Sequence, residues 1–237
     1  MQHYLDYDLN KCKKEKGNNM QLEALAIKIV ISAIPILLAI TVHEASHGYA
    51  AKYFGDLTAE KMGRISLNPF KHIDPVGTIL LPALTLFFGG VLFGWAKPVP
   101  VNFGNLRNPK KDMLWVAAAG PASNLVMALG WSMLLGYIKY ALAHGLYSPA
   151  FPFLLQMSYV GVTINVVLMV LNLLPMPPLD GGRIAVSLLP NTYANKLAQV
   201  EKYGFAILIA LMFTGVLNKI IGPFIDFFQL GILRIFA

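Results

Sequence analysis

Long apolar runs separated by short polar stretches dominate this chain. They cover about Leu22–Phe54, Val76–Ala96, Met113 to about Ala143, Pro152–Leu174 and about Tyr203–Leu217. Continuous hydrophobicity on this scale is the mark of helices in lipid, because about 20 apolar residues span a hydrocarbon core. Only a helix or a closed barrel satisfies its own backbone there. The pattern predicts an all-α polytopic membrane protein with about five apolar membrane segments.

Interruptions refine that reading. Pro35 falls inside the first run and predicts a kink. The second run is broken by Pro82, Gly89, Gly90 and Gly94. Lys97-Pro98-Val99-Pro100-Val101-Asn102 follows, and its prolines predict an extended edge segment. The tail from Pro223 to Phe236 interleaves Asp226, Gln229 and Arg234 with aromatics, which predicts an interfacial amphipathic helix. Residues 1–20 form a polar tail, with Lys11, Lys13, Lys14 and Lys16 clustered and solvated. Residues 21–237 then form a single transmembrane domain, with its core at 22–185. No repeat and no appended soluble domain is visible.

Composition supports the membrane assignment. Of 237 residues, 56% are hydrophobic and 13% charged, and mean hydropathy is +0.58. Soluble domains carry roughly 25% charged residues. The net charge of +7 sits mostly in loops, where it orients a membrane protein and does not form a nucleic-acid surface. Cys12 stands alone, so neither an internal disulfide nor a cysteine metal cluster is available.

The candidate chemistry lies inside the first apolar run, in His43-Glu44-Ala45-Ser46-His47. Residues i and i+4 share a helix face, so His43 and His47 can hold one metal ion, with Glu44 beside it as a candidate general base. Ionisable residues in membrane segments are expensive and mark function. A catalytic zinc takes three protein ligands. His3, His72 and His144 lie in polar or loop surroundings and read as surface or interface histidines. Asp180 stands out, because Pro175, Pro177 and Pro178 set an extended approach to it and Gly181-Gly182 allow close backbone packing after it. On its own Asp180 also reads as a helix N-cap; beside H-E-x-x-H the metal reading is stronger.

H-E-A-S-H, the Gly120-Pro121-Ala122-Ser123-Asn124 segment and Asn172 through Gly182 (N-L-L-P-M-P-P-L-D-G-G) occur in that order on hydrophobic segments. Together they resemble the site-2 protease family, which are intramembrane zinc metalloproteases. Gly94 through Asn102 also resembles a segment of its small members. The resemblance implies one Zn²⁺ per chain, with His43, His47 and Asp180 as ligands and Glu44 as the base. It implies Asn172 near the substrate and a membrane-embedded protein or peptide as that substrate. Asn124 is a weaker substrate candidate, since the small residues beside it favour helix packing. A membrane substrate must unwind before hydrolysis, and strand addition at Val99 and Val101 would give its backbone a partner.

One metal bound by both regions also constrains topology. The first span and the span ending at 174 must run parallel, so an odd number of crossings separates them. Met113–Ala143 supplies one, and Val76–Ala96 should then enter and return, or lie in the interface, rather than cross. This places the N-terminus outside and the active site toward the cytoplasm, although Lys/Arg counts do not separate this arrangement from one in which Val76–Ala96 crosses fully and the N-terminus lies inside. The competing functions are a metal-ion transporter, which tends to show internal repeats, and a catalytically silent scaffold. Oligomeric state is not encoded in any visible feature.

Overall fold

The computed structural model describes residues 2–80 and 96–236. Among them, four helices are long and apolar enough to cross a membrane: Ile27–Tyr53, Pro109–Ala143, Phe151–Asn172 and Val216–Phe236. The first is the apolar part of α1 (Gln2–Tyr53), which extends back through the expected tail. Pro35 is accommodated inside it. A single turn, α2 (Thr58–Lys61), and short non-α turns at Pro69–His72, Pro75–Leu80 and Phe103–Asn105 form the polar region before α3 (Pro109–Ala143). Then come α4 (Phe151–Asn172), α5 (Asp180–Leu188), α6 (Asn191–Gln199), α7 (Glu201–Phe213) and α8 (Val216–Phe236). No strand occurs among the described residues.

The register of the buried contacts fixes the directions of the spans. On α1, Ala39 and His43 face Asn124 of α3, and His47 faces Val116. Rising numbers on α1 meet falling numbers on α3, so the two helices are antiparallel. Asn124 meets Asn165 of α4. Gly161 of α4 lies under the Trp131 ring, so α3 and α4 are antiparallel as well. Therefore α1 and α4 run parallel, as one shared metal requires.

Most of the segment expected to re-enter the membrane, 81–95, lies outside the described residues. Its flanks are described, and they meet: the Lys97 N–H donates to the His72 carbonyl at 2.9 Å. The chain leaves this region and comes back to the same place.

The C-terminal part differs from the sequence reading. The apolar stretch 203–217 is split. α7 has 13 residues, about 20 Å long and short of the ~30 Å core. Gly215 then turns the chain in the left-handed region, φ 72°, which glycine adopts without a Cβ penalty. Pro223 does not start a new element; it lies inside α8. The tail read as interfacial belongs to α8, which packs along α3 and α4 and is long and apolar enough to cross a membrane. The buried Ser132 hydroxyl donates to the Ile232 carbonyl at 3.1 Å, and Gln229 reaches Thr163 at 3.1 Å. Ala128, Val162, Val166, Met169, Leu208, Leu217 and Ile221 fill the core between these helices.

Candidate metal centre

The centre sits on three elements. α1 brings His43, Glu44 and His47, at a depth inside the span and nearer its C-terminal end. α5 brings Asp180 as its first residue. α3 packs behind the histidines. Asp180 does not cap its own helix: the N-cap position is Leu179, with no side-chain cap bond. A Cβ at Gly181 would collide with the carbonyls of Leu173 and Leu174, and one at Gly182 with the backbone of Met176 and Pro177. The two glycines therefore let α5 begin directly against the end of α4, which turns the Asp180 carboxylate back to α1. Gly204 of α7 supports the same loop, packed against the Pro177 carbonyl with no room for a Cβ.

The arrangement of atoms suits a cation. His43 Nδ1 lies 2.6 Å from Asn124 Oδ1, and His47 Nδ1 lies 2.7 Å from the Val116 carbonyl. Both partners only accept, so each Nδ1 carries the proton and each Nε2 presents a lone pair. The two Nε2 atoms are 3.1 Å apart, and each is 3.3 Å from Asp180 Oδ2. Asp180 Oδ2 is buried with no hydrogen-bond partner. Protons on both Nε2 atoms would set two N–H groups against each other. A single metal ion bound by all three satisfies every atom, and these groups lie within 4.8 Å of one another. The donor set matches a catalytic site with three protein ligands and an open position.

The sequence reading missed Gly120. A Cβ there would run into both imidazoles, so this glycine makes room for the histidine pair. It had registered only as a helix-packing residue.

A cavity of about 290 Å³ opens beside these groups. His43, Glu44, His47, Asn172 and Asp180 line it, with Val99 and Val101 of the extended segment opposite. The Val99 N–H donates to Glu44 Oε2 at 2.8 Å. Arg64 holds the near end of that segment through the Lys97 and Pro98 carbonyls, at 3.1 and 3.2 Å. The buried Asp56 holds its far end, accepting the Asn102 N–H at 2.7 Å together with Thr58 and Asn105. Burial pushes the Asp56 carboxyl up, but these donors outweigh it and hold it below the usual carboxylate range.

Asn172 faces the cavity and donates to the Leu168 carbonyl at 2.9 Å. Asn124 is fully buried, with its amide committed to His43, Ala39 and Asn165. Ser46 bonds its own helix at Val42. His72, read from sequence as a surface or interface histidine, is buried, with Nε2 on the Ser66 carbonyl. Two further residues at the cavity escaped the sequence reading: Phe103, and Arg183, whose guanidinium stacks 4.8 Å over the Phe103 ring and pairs with Glu201 at 3.2 Å.

The chain is 38% identical over 205 residues to "Putative zinc metalloprotease YwhC" of Bacillus subtilis, an alignment covering 86% of this chain and 90% of that protein. The profile described as Peptidase family M50 matches residues 149–215. The chain belongs to peptidase family M50, the site-2 proteases. "Putative zinc metalloprotease Rip2" of Mycolicibacterium smegmatis is 36% identical over 186 residues, covering 77% of this site-2 protease and 66% of that relative. The Rip2 protein of Mycobacterium tuberculosis strain H37Rv is 28% identical over 203 residues, covering 85% of this chain and 74% of its own. No solved structure matches. As a member of this family the protein is a multi-pass membrane metalloendopeptidase.

Proposed function

We propose that this site-2 protease hydrolyses peptide bonds within or near the membrane-spanning segments of membrane-anchored proteins, using one zinc ion per chain held by His43, His47 and Asp180. The observation that carries the reading is the convergence of two imidazole lone pairs on a buried, unpartnered carboxylate oxygen. When bound, zinc would supply a Lewis acid for the scissile carbonyl and lower the pKa of water toward ~7.

The chain's own residues do the rest. Glu44, next to His43 and facing the cavity, takes the proton of the attacking water and delivers it to the leaving amine. Asn172, eight residues before Asp180 and lining the same cavity, offers its amide to the substrate backbone or to the developing oxyanion. The extended segment around Val99 and Val101 forms the opposite wall, where an unwound substrate can lie alongside it. The Val99 N–H is already engaged by Glu44, so pairing at that residue runs through its carbonyl. We assign Asn124 to the support of His43 and not to substrate contact.

The His72–Lys97 contact supports an active site facing the cytoplasm. On this reading residues 54–75 and 97–108 share one side of the membrane with 173–200, where the Lys110 ammonium donates to the Leu189 carbonyl at 2.6 Å. The regions 51–112 and 175–202 carry eight and three Lys/Arg, whereas residues 1–26 carry four and 144–150 none. The positive-inside bias therefore supports an outside N-terminus, with 21–237 as one proteolytic domain.

The test uses purified protein in detergent with a single-span peptide reporter and compares wild type with Glu44→Gln. The variant should keep its zinc and lose roughly 10²–10⁴-fold in cleavage rate. A zinc-loaded variant cutting as fast as wild type would disprove the role of Glu44. A metal-ion transporter tends to show several metal-capable sites along a path, and among the described residues His43, His47 and Asp180 form one such group.

A further inference from the structure

Behind His43 lies a directional chain of amides. Asn165 is fully buried in α4. Its Nδ2 donates to the Gly161 carbonyl at 2.8 Å, and its Oδ1 accepts from Asn124 Nδ2 at 2.9 Å. Asn124 Nδ2 also donates to the Ala39 carbonyl at 3.3 Å, and Asn124 Oδ1 meets His43 Nδ1 at 2.6 Å. We propose that Asn165 is a positioning residue for the metal centre, acting through Asn124 to fix which nitrogen of His43 faces the metal. The proposal rests on the zinc-site reading above.

Backbone carbonyls can only accept. The Gly161 carbonyl therefore requires the amino end of Asn165, which leaves its oxygen toward Asn124. That oxygen, with the Ala39 carbonyl, requires the amino end of Asn124. The Asn124 oxygen is then left for His43 and requires the proton on Nδ1, freeing the Nε2 lone pair. Turning both amides over would give His43 the wrong tautomer, with an oxygen set against each of the two carbonyls. With Asn165 gone, only the longer Ala39 contact resists that reversal.

His47 needs no relay, because the Val116 carbonyl meets its Nδ1 directly at 2.7 Å. Asn124, itself on α3, bonds to both α1 and α4, so His43 is oriented from α4 across α3. Outer partners of metal-bound histidines fix ring orientation, and their loss typically weakens metal affinity by roughly 10–100-fold.

The test measures zinc affinity by competition with a chromophoric chelator for wild type, His43→Ala, Asn165→Leu, Asn165→Ser, Asn124→Leu and the double Asn124→Leu/Asn165→Leu variant. Each is the full-length protein in detergent, and metal-free thermal unfolding is recorded alongside. Either folded Asn165 variant should bind zinc roughly 10–100-fold more weakly, with metal-free unfolding close to that of wild type. The double variant should bind no more weakly than Asn124→Leu, because Asn165 acts only through Asn124. Cleavage should recover at saturating zinc. Wild-type affinity in the folded Asn165 variants would overturn the proposal while leaving the zinc site standing. Additive losses in the double variant, or failure of both Asn165 variants to fold, would make the pair a helix-packing element and overturn it too. If wild type and His43→Ala bound zinc equally, the zinc-site reading itself would fall, and this inference with it.

Discussion

The Glu44 carboxylate on α1 accepts the backbone N–H of Val99 at 2.8 Å, 55 residues along the chain. The extended segment does not merely pass the cavity; it holds the group proposed to move the proton. Because the donor is a backbone amide, the side chain at 99 is less important than the hydrogen on its nitrogen.

Val99→Pro removes that hydrogen, whereas Val99→Ala keeps it. A hydrogen bond to a charged group is worth about 1.5–3 kcal/mol, so the proline variant should lose roughly 10–100-fold in kcat if the bond is maintained through turnover. The alanine variant should stay near wild type, and both should retain zinc. Reporter cleavage and metal content, read together, check this; equal rates for the two variants would show that the amide does not position the base.

Gly120→Ala puts a methyl group into the space of both imidazoles. Zinc affinity should drop by more than the roughly 10–100-fold typical of losing an outer partner. Gly130 is on the same helix, and a Cβ there meets nothing within 4 Å. Gly130→Ala should therefore leave zinc binding unchanged and should not lower thermal stability, since alanine is the better helix residue. Chelator competition and thermal unfolding of the two variants side by side make the comparison.

Asp180→Ala should have opposite effects with and without metal. With zinc present, it removes a ligand, and the stabilisation that comes from binding the folded state shrinks. Without zinc, it removes a buried oxygen that has no partner, a group of a kind that costs about 1–3 kcal/mol. The metal-free variant should be at least as stable as metal-free wild type. Unfolding scans in chelator and in excess zinc would expose the crossover.

Asp56 gives the extended segment an acid limit. Its folded carboxyl lies below the usual range, so its stabilising contribution is complete above the unfolded pKa of about 3.9. It is lost as pH falls through the lower folded value. Asp56→Asn replaces one accepting oxygen with a donor and should loosen the tie to Asn102 at neutral pH, at a cost of about 1–3 kcal/mol. Cleavage and stability measured at neutral pH, with stability followed down to pH 3, would test both statements.

The candidate metal-centre residues were legible because their spacing is local. His43 and His47 are one helical turn apart, and the proline-framed Asp180 is conspicuous in an otherwise apolar region. The parallel arrangement of α1 and α4 followed from making one metal reach both. What stayed hidden depends on distant partners. Gly120 looks like any packing glycine until the rings of α1 are set against it. Asn165 sits in an uninterrupted apolar stretch, and its partner is 41 residues away. The break before α8 was misplaced because Pro223 looks like the stronger helix breaker. A proline is tolerated within a helix when packing supports it, whereas Gly215 takes a backbone conformation that ends one.

The bond between the Lys97 N–H and the His72 carbonyl ties the approach to α3 back to the segment that follows α1. With the two ends of the intervening stretch tied together, the direction of the helices that follow is set by this contact. The crossing count that brings Asp180 to the histidines is thereby insulated from the length of the stretch between His72 and Lys97.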